Sequence, residues 1–210
     1  MVAVRFAVEA ALRRHLAIPQ TRDRRYNIKL HHYPSHNSLD RFRISVGTVR
    51  MANALARARY NASINPQLNP SINPKAKAAI NPTFNPWINP GRNSAINPNF
   101  TKSLNPLLTA SLNPISNSLL NPKQTRKFSG LRRLTPDAEL HGYVVRTSNK
   151  AVLLLFDRDL KWTAYAVDNS QGGYNVFRLE GIWQGYVLKN QAGGWNEFNL
   201  EGDWTGLIAA

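Results

Sequence analysis

The sequence predicts a mainly β protein with a small α+β amino-terminal segment, an octapeptide-repeat β-solenoid, and an antiparallel β-meander or small barrel. Three observations carry this. An apolar-Asn-Pro triplet returns every eight residues from Ile64 to Leu120, aromatic residues return every 21 residues after Phe156, and the first sixty residues show neither period. The expected boundaries are 1–60, 61–128 and 129–210.

In the first segment, Val4, Val8, Leu12 and Leu16 recur at helical spacing over Val2 to Ala17, and Pro19 stops the helix. Tyr26, Ile28 and Leu30 then alternate with polar residues, as do Phe42, Ile44 and Val46, which predicts a hairpin with one basic face. A second helix, rich in Ala and Arg, is expected at about 48–60. The hairpin and second helix place Arg25, Lys29, Arg41, Arg43, Arg50, Arg57 and Arg59 as a candidate polyanion-binding set. They carry no RNA-binding aromatic motif and no GXXG loop. His31, His32 and His36 suggest metal ligands, but Pro34 breaks the helix that would align the last two, so no metal site is expected.

The repeat occupies the middle. Ile64, Ile72, Ile80, Ile88, Ile96, Leu104, Leu112 and Leu120 each precede Asn-Pro. Proline at this interval forbids a long helix, and Asn-Pro favours a type I turn with Asn first and Pro second. With about four residues left to extend after each such turn, two octapeptides would form one sixteen-residue coil with a turn at each end. The fifth position, with Leu68, Phe84 and Phe100 in alternate copies, supports that pairing. Four coils would stack at about 4.8 Å, with Ile and Leu inside and Asn ladders tying the turns. Residues 64–127 contain no acid, which excludes a calcium-binding roll.

In the last segment Phe156, Phe177 and Phe198 are equally spaced, as are Trp162, Trp183 and Trp204. Leu140 to Val145 forms a fainter unit. Glycine-bearing turns near Gly173, Gly181, Gly194 and Gly202 divide the segment into about seven strands. Each unit is an up-down pair, so the three tryptophans form a row about 9.6 Å apart, twice the strand spacing. Burial of that row is favoured because so short a segment has few other large side chains for its interior. Tyr174 and Trp195, beside the turn glycines, are better placed for an exposed aromatic platform.

Composition narrows the function. Zero cysteines exclude disulfides, a thiol nucleophile and thiolate zinc sites, and no apolar run is long enough for a spanning helix. Residues 1–136 hold 21 Lys plus Arg against three acids, a balance of +18, whereas residues 137–210 hold six against nine. Such a field draws in polyanions. Asp157, Asp159, Glu180, Glu201 and His141 form no acid–base pair legible in sequence, and neither an enzyme nor a cofactor is expected. The leading expectation is a non-enzymatic structural and interaction protein whose basic amino-terminal part docks on a nucleic acid, an anionic surface or an acidic protein. One alternative is a carbohydrate-binding module using Tyr174, Trp195 or the row of Trp162, Trp183 and Trp204, and another is an RNA- or DNA-binding protein. Unpaired backbone groups at solenoid ends and sheet edges would favour a homo-oligomer. An intracellular location is expected, with organellar targeting as the alternative, because the Arg-rich amphipathic start has that character while lacking Ser.

Overall fold

The computed structural model describes residues 61–209, apart from 138, 191 and 192. The helices and hairpin expected before residue 61, the seven candidate polyanion-binding residues and the three histidines lie outside the described residues.

Each octapeptide folds as two tight reversals. In the copy beginning at Ile80, the Asn81 carbonyl accepts from the N–H groups of Phe84 (3.1 Å) and Asn85 (2.9 Å), while its side-chain oxygen accepts from Thr83 N–H (2.8 Å). Asn85 then starts the second reversal, capping the short 3₁₀ turn Pro86–Ile88 by accepting from Trp87 N–H at 3.1 Å. Asparagine suits both places because its side chain mimics a backbone acceptor two residues ahead.

Consecutive octapeptides are tied by side chains. Asn89 Nδ2 donates to the Pro82 carbonyl (2.8 Å) and Asn97 Nδ2 to that of Pro90 (3.0 Å). At the sixth position, Asn93 donates to Trp87 O (2.9 Å), Asn117 to Ser111 O (2.9 Å), and Thr101 and Thr109 to Ser94 O and Lys102 O (both 2.7 Å). Side chains at these two positions thus bond to the preceding octapeptide.

These bonds correct two expectations. They reach back six or seven residues, so one octapeptide completes a rung and no sixteen-residue pairing is needed. No β-strand occurs among residues 61–128, because the four residues expected to extend instead form the second reversal. On a rung of eight, the fifth position lies opposite the first. Ile80 and Leu104 are about 1% exposed, whereas Phe84, Phe100 and Leu108 are 60% or more exposed, so the fifth position faces solvent.

The remainder is a closed antiparallel barrel of eight strands. They are β1 (Leu131–Leu134), β2 (Leu140–Arg146), β3 (Val152–Asp157), β4 (Trp162–Asp168), β5 (Gly173–Arg178), β6 (Trp183–Lys189), β7 (Trp195–Asn199) and β8 (Trp204–Ala209). The strand missing from the expected seven is β1, too short and too basic to show a clear alternation. It pairs with both β2 and β8 and closes the sheet. Closure removes the sheet edges that had argued for self-association.

Two side-chain sets separate across the wall. Leu131, Val144, Leu153, Leu155, Ala164, Ala166, Val176, Val187 and Ile208 form one cluster drawn from seven strands. Only residues pointing into the lumen can meet from so many strands. Arg133 and Glu197 share this inward parity and form a forked ion pair, with Nε–Oε1 at 2.8 Å and Nη2–Oε2 at 3.2 Å. Small side chains leave room for it, and at Gly142 a Cβ would lie 2.1 Å from the Phe156 carbonyl oxygen of the neighbouring strand.

The other set faces outward yet is buried. Tyr143, Phe156, Trp162, Tyr165 and Phe177 form one cluster with Ile88, Ile96, Leu104, Leu112 and Leu120 of the turn array. The array thus covers the outer aromatic wall. Tyr165 and Phe177 stack at 5.7 Å, and their repeat equivalents Tyr186 and Phe198 at 5.6 Å. Asn175 Nδ2 donates to the Ile80 carbonyl (2.9 Å), tying the barrel to the array in its buried interior. At the ends of the array, Gln67 reaches Asp203 (3.1 Å) and Lys123 lies 3.8 Å from Asp159.

Four register shifts recur at equivalent places, opposite Arg133/Leu134, Leu155/Phe156, Val176/Phe177 and Glu197/Phe198. They leave His141, Thr163, Gln184 and Thr205 as extra residues. A bulge inserts one residue and flips the alternation. Trp162 therefore shares the outer face with Tyr165 although the two are three residues apart, and its indole N–H reaches the Ala164 carbonyl at 2.9 Å. The faint first unit is thus a true member of the set, its bulge falling at His141.

Because the first position is buried and the fifth exposed, Leu104→Ala is expected to cost about 2–5 kcal/mol and Leu108→Ala less than about 0.5 kcal/mol. Urea melts of the two variants check this; equal losses would contradict the inward column.

Candidate ligand-binding site at the barrel mouth

The row of Trp162, Trp183 and Trp204 does not form an open platform. Trp162 is buried, and Trp183 and Trp204 are half-buried. They lie on the outer wall, where the array packs against Trp162 and Trp183, so they are not lumen residues. Burial was expected for the row; cover from outside was not, because the bulges that set their side are invisible to a strict two-residue period.

Tyr174 and Trp195 behave in the opposite way. They share the inward parity of the lumen cluster and pack against it. Their rings meet edge to face, with centroids 6.4 Å apart and an interplanar angle of 73°. Sequence alone placed both on an exposed surface; the pleat turns both half-buried rings into the barrel mouth.

Around these rings lies a cavity of about 280 Å³ whose lining also includes Leu131, Val152 and Leu153 on its apolar side and Arg146, Thr147 and Lys150 on its polar side. Arg146 and Lys150 are exposed and form a basic rim. The loop carrying Lys150 is held by Thr147, whose hydroxyl bonds the carbonyls of Asn149 (2.8 Å) and Val152 (3.0 Å). Burial raises the Tyr174 phenol above its ordinary range, Asp168 raises it further and Arg146 opposes both. The hydroxyl therefore remains a neutral donor at physiological pH. No acid lines the cavity. Arg146 and Lys150 were not legible as a pair in sequence because Arg146 ends β2 and Lys150 sits in the short connection after it, outside both repeat periods.

No protein family, curated protein or solved structure matches this chain. What the mouth can do therefore rests on its own chemistry. Two aromatic rings, a neutral hydroxyl and two cations around a small cavity suit a ring-shaped ligand that carries negative charge.

The acids noted in sequence have local roles. Asp157 accepts from the N–H groups of Asp159 and Lys161, both at 2.9 Å, and fixes the β3–β4 turn. Glu180 and Glu201 are exposed at the outer turns, Glu201 lying 3.8 Å from Lys75, and His141 is an exposed bulge residue. Among the described residues no three His, Asp or Glu side chains gather as a metal would require. No described helix is long and apolar enough to cross a membrane.

Tyr165 and Tyr186 hold buried phenols that make no hydrogen bond. Burial raises both far above the ordinary value near 10, and for Tyr186 the carboxylates of Asp203 and Glu201 add to the effect. The unfolded chain then releases these protons before the folded one does. Their contribution is fully present below about pH 10 and is lost as pH rises toward the folded values. Ultraviolet difference titration is expected to find these two tyrosines silent until alkaline unfolding. Replacing both with Phe should move that unfolding to higher pH and change neutral stability by less than about 1 kcal/mol each. Ionisation of either in the ordinary phenol range, with the fold intact, would contradict the burial.

Proposed function

We propose that this protein is a non-enzymatic binding module for acidic polysaccharide, in which an Asn-Pro solenoid of one octapeptide per coil braces a small barrel. The observation that carries the reading is the corner formed by Tyr174 and Trp195 beside Arg146 and Lys150. Rings at 73° do not make the parallel clamp that a flat base would need. They suit a puckered sugar, whose C–H groups contact one aromatic face while its edge meets another. The cations supply the preference for a carboxylate or sulfate, and the apolar floor limits the site to one or two sugar units.

The charge distribution supports the same class of ligand. A balance of +18 over the first 136 residues concentrates polyanions near the molecule whatever their backbone. A charged polysaccharide answers both features, being a polyanion whose monomers are rings. The seven arginines and lysines Arg25, Lys29, Arg41, Arg43, Arg50, Arg57 and Arg59 contribute to that balance.

Titration with hexuronic-acid oligosaccharides, followed by tryptophan fluorescence, tests this. Binding is expected to exceed that of neutral oligosaccharides of equal length by about tenfold, to weaken about tenfold in Trp195→Ala, and to lose its acid preference in Arg146→Ala. Equal affinity for neutral and acidic sugars, or binding indifferent to Trp195→Ala, would overturn it.

A further inference from the structure

Covering the barrel turns only one side of the array inward. On the opposite side, the fifth-position column carries Phe84 (68% exposed), Arg92, Phe100 (76%) and Leu108 (60%) on successive rungs. Trp87, on the same rung as Phe84, is 79% exposed. Single exposed apolar residues are ordinary, but a regular ridge of them is not. The ladder bonds hold the rungs in order, so the ridge is presented on a fixed frame.

We propose that this ridge docks on an anionic lipid membrane surface. Charge complementarity argues for that occupant: residues 61–128 contain seven Lys and Arg and no acid, of which Lys75 and Lys123 lie beside barrel carboxylates, and Arg92 stands between Phe84 and Phe100 in the apolar column itself. Aromatic and aliphatic side chains interleaved with cations are what an acyl-headgroup boundary accepts. A single-stranded nucleic acid would use the aromatic rings and the cations. It has no use for Leu108, which cannot stack on bases. The solvent-facing ridge is spatially distinct from the barrel mouth, because the mouth opens into the lumen and the ridge lies outside the wall-covering array.

The test uses the full chain with vesicles of phosphatidylcholine alone and with about one third phosphatidylserine, a fraction that gives a cytoplasmic-type surface charge. Co-sedimentation is expected to favour the anionic vesicles by about tenfold or more and to fall as salt rises. Tryptophan emission should shift to the blue, and the shift should vanish in Trp87→Phe while binding persists. Phe100→Ser and Leu108→Ser, checked for retained circular dichroism, should each weaken binding by roughly tenfold, the cost of losing one inserted side chain.

Sedimentation without a Trp87 shift would place the contact elsewhere and overturn the proposal. So would a Trp87 signal already shifted and shielded from iodide in buffer, which would mean that another part of this chain or a second copy covers the ridge. A Trp87 response to single-stranded RNA but not to vesicles would assign the ridge to nucleic acid instead. Binding to neutral and anionic vesicles alike would remove the role of the cations.

Discussion

The contact on which the molecule depends is the packing of one aliphatic column against the aromatic outer wall of the barrel. Tyr165, Phe177, Tyr186 and Phe198 project away from the lumen, and a small barrel with such a wall would leave a large apolar surface in water. The column from Ile88 to Leu120 removes much of it, each fully buried Ile or Leu contributing about 1.5–3 kcal/mol. The turn array gains as much as the wall does. Its rungs are too narrow to enclose a core of their own, so their only dry side is the one the barrel provides.

That dependence accounts for the polar chemistry as well. Burying one side of a backbone that reverses every four residues would strand carbonyl and amide groups, and asparagine answers them locally and between rungs. Asn97 illustrates the double duty: it is 4% exposed, its side-chain oxygen accepts from Asn99 N–H at 2.9 Å, and its amide donates to the Pro90 carbonyl at 3.0 Å. Proline at the next position removes a donor that would otherwise need a partner in the same crowded place. The barrel uses a similar economy at two of its bulges, where the indole N–H groups of Trp162 and Trp183 close onto the carbonyl two residues ahead.

Much of this was legible in the chain. The eight-residue period, the invariant inward aliphatic and the side-chain ladders follow from Asn-Pro turns, and the 21-residue period follows from paired strands with glycine turns. The rung size did not, because the second reversal at Asn85, Thr101 or Asn117 lacks a fixed proline and resembles extended chain. Nor did the sidedness of the aromatics. A bulge changes the parity of every residue after it, so Trp162 went to the outer wall, while Tyr174 and Trp195 went to the lumen mouth against expectation. Arg146 and Lys150 became part of a site only once closure of the sheet brought the end of β2 and the β2–β3 connection beside β5 and β7.

The most direct measurement is native-state hydrogen exchange of the array amides. If the column and the wall are one core, the N–H groups of Ile96, Leu104 and Leu112, each bonded within its own turn, will exchange only through the same global opening that releases Val145 and Tyr165 in the barrel. Array amides that exchange freely while the barrel amides remain protected would show the two parts to be independent and would contradict the account.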